Sequence, residues 1–209
     1  MKKIIALFAA FTVAIAAFAQ TPEEIANRMS EAMGKLGNNG VRMTMDVKIP
    51  ILGTTMSSTT YVLGKKARSE MKMMGQKVVS WMDEDTNWTY IPGENSVYIM
   101  DWDLSKKTKE QENMKMFEKD TDDYDVIMKK ETDTAWYLQY NKKKSLKDKD
   151  IPKTINFVVA KGTFFPISMS TKMKGITVTI RDIKNNVTEK QVTFNKADYP
   201  GVTIIDERK

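Results

Sequence analysis

Two runs of carboxylates are the residues best suited to chemistry in this chain. They are Asp83-Glu84-Asp85, and Asp120 with Asp122, Asp123 and Asp125. Paired carboxylates hydrolyse glycosides, but only when two are held at a defined separation in a cleft. The first run lies in a tight turn between Trp81 and Trp88, and the second lies between a charged segment and a strand. Aspartate favours such turns because its side chain bonds the nearby backbone. Calcium binding at Asp120–Asp125 would be adventitious, since the glycine and final glutamate of an EF-hand loop are missing. The chain has no histidine and no cysteine. It lacks the usual base near neutral pH, the usual transition-metal ligands, and any Ser-His-Asp or Cys-His arrangement. GxSxG, GxGxxG and P-loop patterns are absent too. Neither an enzyme, nor a metal centre, nor a cofactor is expected.

The N-terminus reads as a targeting signal. Lys2 and Lys3 are its basic region, Ile4–Phe18 its apolar region, and Ala17-Phe18-Ala19 an A-x-A cleavage site. Residues 1–19 are expected to be removed, leaving one domain over 20–209 that starts at Gln20. The apolar run falls short of the roughly 20 residues that span a bilayer. No cysteine follows it to carry a lipid, and no other segment is apolar enough to span. The mature protein is expected to be exported and soluble, with no disulfide framework. Losing Lys2 and Lys3 takes the net charge from +6 to +4. Cations and carboxylates are interspersed, which is a solvated surface and not a nucleic-acid footprint.

The elements follow from periodicity. Thr21 and Glu24 form a capping box with Pro22 at the first helical position. Ile25, Met29, Met33 and Leu36 then line one face of a helix within Thr21–Gly40. VRMTMDVKIP (41–50) alternates strictly and reads as a strand, with Arg42 and Lys48 facing water. Two of its apolar positions are methionines, although Val and Ile suit a strand better. Further strands are read at 54–63, 67–74, 77–82, 87–91, 96–100, 124–130, 134–141, 154–160, 165–173, 176–183 and 189–194, before the tail at 197–209. Asp103–Asp120 is charged, rich in helix formers, and reads as a surface helix or flap. Short strands joined by tight turns signal an antiparallel meander. So the expectation is mainly β (α+β): an open antiparallel half-barrel of about ten to twelve strands. Its concave face would be covered by the N-terminal helix and the middle helical segment.

Several stretches in order carry a family resemblance. The chain opens with signal, amphipathic helix, then strands. VSWMDEDTNWTYIPGENSVYIMD (79–101) resembles a D-G-K-x-x-W-x-Y-x-P hairpin, with Trp88, Tyr90 and Pro92 on the W-x-Y-x-P. YDVIMKKETDTAWYLQYNKKK (124–144) and TINFVVAKGTFFPISMST (154–171) are similar to later hairpins. VTFNKADYPGVTIIDERK (192–209) is similar to a V-x-F…P-x-G-V-x-V-x-D ending, with Pro200 and Gly201 adjacent here. Together they resemble the LolA-type outer-membrane lipoprotein carriers, the LolA/LolB-like lipoprotein-sorting superfamily.

The resemblance implies a periplasmic protein whose apolar cavity takes lipoprotein acyl chains or other lipid. Its partners would be an inner-membrane release complex and an outer-membrane acceptor; a monomer is expected. A family arginine that keeps hand-over one-way would correspond to Lys66 or Arg68. The charged 103–120 segment departs from the family's rather apolar cover. Alternation then nominates one cavity lining: Met43, Met45, Val47, Tyr61, Leu63, Met71, Met73, Val79, Trp81, Trp88, Tyr90, Val97, Ile99, Trp136, Leu138, Phe157, Val159 and Met169. An acyl chain needs only shape and apolar area, and methionine re-packs around varied ligands. A non-enzymatic envelope sensor or interaction module on the same fold is the alternative.

Overall fold

The structure is a computed structural model that describes residues 20–35, 39–73, 75–102, 123–148 and 151–208. The expected signal (1–19), Leu36, and the middle segment 103–122 with Asp120 and Asp122 lie outside the described residues.

Helix α1 (Pro22–Gly34) starts where the capping box places it: Glu24 N donates to Thr21 Oγ1 at 3.2 Å, and Thr21 N donates to Glu24 Oε2 at 3.1 Å. Its buried stripe is Ile25, Ala26 and Met29, while Met33 is half-buried. The strands are β1 (Val41–Ile49), β2 (Thr54–Leu63), β3 (Lys66–Met73), β4 (Gln76–Met82), β5 (Thr86–Ile91), β6 (Ser96–Asp101), β7 (Tyr124–Glu131), β8 (Ala135–Lys142), β9 (Thr154–Ala160), β10 (Pro166–Met173), β11 (Ile176–Asn185) and β12 (Thr203–Asp206). They form one 12-stranded sheet in the order β12-β6-β5-β4-β3-β2-β1-β11-β10-β9-β8-β7. Among the described residues its outer strands β12 and β7 are not paired with each other, so the sheet is open. All pairings are antiparallel except β12 with β6.

One expected strand is corrected. Residues 189–194 do not extend; Glu189–Val192 forms a short helix, α2. The reason is a second capping box, in which Gln191 Oε1 accepts from Thr188 N at 2.8 Å. From there residues 187–202 run as a strap across the sheet and end in β12 on its far edge. Gly40 sits where the strap's start meets β2. Its φ is +66°, and a Cβ there would lie 2.6 Å from Val62 O and 2.8 Å from Val187 Cβ, so only glycine fits.

Directly paired residues share a sheet face, so register tells which side chains meet. Val41, Met43 and Met45 share a face with Ile180, Met169, Phe157 and Leu138. This is the helix face, and with Ile25, Ala26 and Met29 it makes the principal core. On the opposite face, Arg42, Tyr61, Arg68, Trp81, Trp88 and Ile99 are in register across β1 to β6. Beside them run Thr44, Thr59, Glu70, Val79, Tyr90 and Val97. The strap covers this second face. One sheet therefore buries opposite faces at its two ends.

Candidate functional site

That switch separates the residues nominated for one cavity. Met43, Met45, Val47, Met71, Trp136, Leu138, Phe157, Val159 and Met169 lie on the helix face. Met73 shares that register by its backbone. Tyr61, Leu63, Val79, Trp81, Trp88, Tyr90, Val97 and Ile99 lie on the strap face. A single lining made of both sets is not what the register permits. Alternation assigns faces within a strand; only pairing assigns them between strands.

The helix face holds the more open site. Trp136, Leu138, Phe157, Val159 and Met169 are sealed in the core, whereas Met43, Met45, Met128, Phe164 and Phe165 are half-buried against it. A cleft of about 790 Å³ opens between α1, the β9–β10 turn and the end of β11. Phe164, Phe165 and Ile183 supply its apolar lining, and Arg28, Glu31, Lys35 and Lys184 its charged rim. Phe164 holds a left-handed φ of +58°, unusual without glycine. It is fixed by stacking on Trp136 at 5.2 Å and by the Arg28 guanidinium 4.6 Å from its ring centre. At the other end of β7, Tyr124 donates to Pro152 O at 3.1 Å, and burial pushes its hydroxyl up to about 12. The buried Tyr140 hydroxyl has no hydrogen-bond partner among the described residues, and burial pushes it up as well.

The strap face is closed by aromatic rings. Phe194 and Tyr199 of the strap meet Trp81 at 5.3 and 5.5 Å, edge-on, and Tyr199 meets Tyr90 at 4.7 Å. Phe194 also stacks on Trp88 at 6.1 Å. Desolvation in this packing raises the Tyr199 hydroxyl. Of the two residues nominated for hand-over, Arg68 lies inside this group, 5.5 Å from Tyr61 and 5.6 Å from Trp81, paired with Glu70. Its buried Nε has no hydrogen-bond partner among the described residues. Lys66 lies at the border, paired with Asp83 at 3.7 Å and with Glu189 on the strap.

The first of the carboxylate runs that opened the sequence reading is engaged locally. Asp83 caps Glu84 N at 2.8 Å, Asp85 accepts from Thr86 Oγ1 at 2.8 Å, and Glu84 pairs with Lys65 at 2.9 Å. Asp125 lies on β7 opposite Asn141, one residue beyond the start of the strand. Among the described residues no group of carboxylates is placed to hold a metal ion, and no helix is long and apolar enough to cross a membrane. The cleft residues Arg28, Glu31, Lys35, Phe164, Phe165, Ile183 and Lys184 were missed by sequence reasoning. The spacing of Arg28, Glu31 and Lys35 does place them on one helix face, but nothing local brings the β9–β10 turn to it.

No family model and no curated protein matches this sequence. Solved structures do. The Mycobacterium tuberculosis lipoprotein LppX is 11% identical over 78% of this chain and 94% of its own, with a TM-score of 0.53. LprF from Mycobacterium bovis is 9% identical over 80% and 93%, with a TM-score of 0.50. A LolA superfamily protein from Nitrosomonas europaea is more distant in shape, 10% identical over 86% and 100% with a TM-score of 0.35. At such identities the likeness concerns the fold alone, and that fold is like those of LppX and LprF.

Proposed function

We propose that this chain is an exported, non-catalytic carrier. It would hold lipoprotein acyl chains, or another lipid, on the helix face and move them through the periplasm toward the outer membrane. The observation that carries the reading is the half-buried apolar fringe of the principal core: Met43, Met45, Met128, Phe164 and Phe165. Those side chains pack on a closed core yet keep exposure, with a cleft of about 790 Å³ reaching Phe164 and Phe165. That size lies within the roughly 300–1,000 Å³ of small-molecule sites. Methionine at the fringe suits ligands of varied length because its thioether chain re-packs at small cost. Each buried methylene is worth about 0.8 kcal/mol, so a dozen retain several kcal/mol after ordering costs. Arg28, Lys35 and Lys184 on the rim would meet a polar head. The LppX-like fold supports the reading, and a sequence without histidine or cysteine fits a non-catalytic role.

The test is mass spectrometry of lipid extracted from protein purified out of its native envelope, paired with displacement of a bound apolar dye by fatty acid. Co-purifying lipid and dye displacement are expected. Delipidated protein that takes up neither dye nor fatty acid overturns the reading.

A further inference from the structure

The most exposed large apolar side chains lie far from both cores, at the tip of the β1–β2 hairpin. Ile51 is 92% exposed and Leu52 69%, with Met56 at 44% on the same hairpin. Hairpin tips are normally polar. This one is a defined turn: Pro50–Leu52 is one turn of 3-10 helix, and Gly53 closes it at φ +60° with its N–H on Pro50 O at 3.0 Å. The turn holds Ile51 and Leu52 outward, exposed among the described residues.

An antiparallel sheet puts alternate turns at opposite ends, and here the two ends differ in charge. Thr177 pairs with both Lys48 and Lys172, so these lysines flank it beside the hairpin. Lys72 lies two strands away on the same face, and the β8–β9 loop brings Lys144, Lys147 and Lys153 to the same end. All six are exposed. The exposed carboxylates described at this end are Glu94, Asp125 and Asp148. At the opposite end Asp83, Glu84, Asp85, Glu131 and Asp133 gather. Three of the cations there are engaged, Lys65 on Glu84, Lys66 on Asp83 and Glu189, and Lys161 on Glu131, while Arg28, Lys35 and Lys184 rim the cleft.

We propose that the hairpin end docks on an anionic phospholipid surface, with Ile51 and Leu52 entering the interface and the lysines meeting the headgroups. A two-residue apolar tip on an end that carries exposed lysines is complementary to such a surface: the tip gains apolar burial, and each lysine gains from the negative surface potential. The tip is too small to be a stable protein–protein interface by itself. The acidic end then points away from the membrane, which fixes one orientation. The cleft, at the β9–β10 turn, lies on that far end. Docking does not depend on the carrier reading, because the tip is not part of the cleft.

The test uses vesicles of equal parts phosphatidylcholine and phosphatidylglycerol, with pure phosphatidylcholine alongside, and no added cargo. Sedimentation should recover the protein with the anionic vesicles, less so as salt rises. Ile51→Ser with Leu52→Ser should weaken binding at least about tenfold. Lys48→Glu and Lys172→Glu should each weaken it about fivefold or more. Lys65→Glu, at the acidic end, should leave it intact. Because the chain has no cysteine, Leu52→Cys accepts an environment-sensitive dye at one place, and its emission should shift to the blue on anionic vesicles. Binding unchanged in the Ile51/Leu52 variant, or no recovery with anionic vesicles, overturns the proposal. So does a dye shift produced only by self-association of the protein without vesicles. Far-ultraviolet circular dichroism confirms that each exposed-site variant is folded.

Discussion

The two ends of the sheet solve one problem by different means. From β7 through β11 to β1, a regular helix lies on one face, and the contact is aliphatic and aromatic side chains in bulk: Ile25, Leu138, Phe157, Val159 and Met169. From β2 to β6 the opposite face is buried, and the cover is an irregular strap held by ring-on-ring contacts, by the buried Val187 and Val192, and by the Lys66–Glu189 ion pair at the border. A helix satisfies its own backbone and needs only a stripe to be anchored. A strap must find partners for its backbone at each step, as in Asn95 Nδ2 donating to Gly201 O at 3.1 Å and Thr203 N to Asn95 O at 3.0 Å. The helix half should therefore set global stability, and the strap half should open at lower free energy.

The largest effect expected is from Leu138→Ala in the helix half. Leu138 is 1% exposed at the centre of the principal core, so a cavity of this kind should remove about 2–5 kcal/mol. Urea unfolding should show the loss without a change in slope. A loss confined to the strap strands in hydrogen exchange would reverse the comparison.

Phe194→Ala comes next, at about 2 kcal/mol, since the half-buried ring loses apolar burial and its contacts with Trp81, Trp88 and Tyr199. Its signature should be local. Amides of β12 and β6 should exchange faster while those of β7 and β8 keep their protection. Equal loosening of both halves would mean that the strap and the helix form one cooperative unit.

The sequence shows one half of this molecule better than the other, for physical reasons. Alternation in β1 and the turn residues at Gly64, Pro92-Gly93 and Gly175 marked eleven strands closely, and the Thr21/Glu24 box marked α1. Thr188 and Gln191 carry the same box, yet α2 was read as a strand because Val192 and Phe194 alternate with polar neighbours. The exchange of buried faces was not legible. Met45 and Trp81 look alike as inward positions, and only the ladder through Ser58 and Met71 shows that they point to opposite sides. Met43 and Met45 are half-buried on the helix face, as their strand pattern implied, and Lys48 is exposed. Arg42, expected in water, is half-buried with its guanidinium 5.7 Å from the Tyr61 ring centre.

Thr21→Ala tests α1 alone. It removes the acceptor for Glu24 N and should lower stability by about 1 kcal/mol. Fraying should be confined to the first turn of α1, read by exchange at Glu24 and Ile25. An equal change in the strap would show coupling between the two covers through the sheet.

The smallest effect expected is at the seam where the buried face changes. On β1, Asp46 accepts from Arg181 Nε of β11 at 2.6 Å. That hydrogen bond, then one from Ser57, holds the Asp46 carboxyl below its ordinary value. A carboxyl lowered in the folded state adds stability above its unfolded pKa, near 4, and loses it as pH falls through the folded value. Both side chains keep contact with water, so screening limits the contribution to less than about 1 kcal/mol. Asp46→Asn should cost that little at neutral pH and should flatten the decline in stability on acidification below about pH 4, measured by urea unfolding across pH. The pair joins β1 to β11 and touches neither cover. Exchange in α1 and in β12 should thus respond alike, and weakly. A steep acid response concentrated in β12 would instead place the pair under the strap's control and make the seam part of the weaker half.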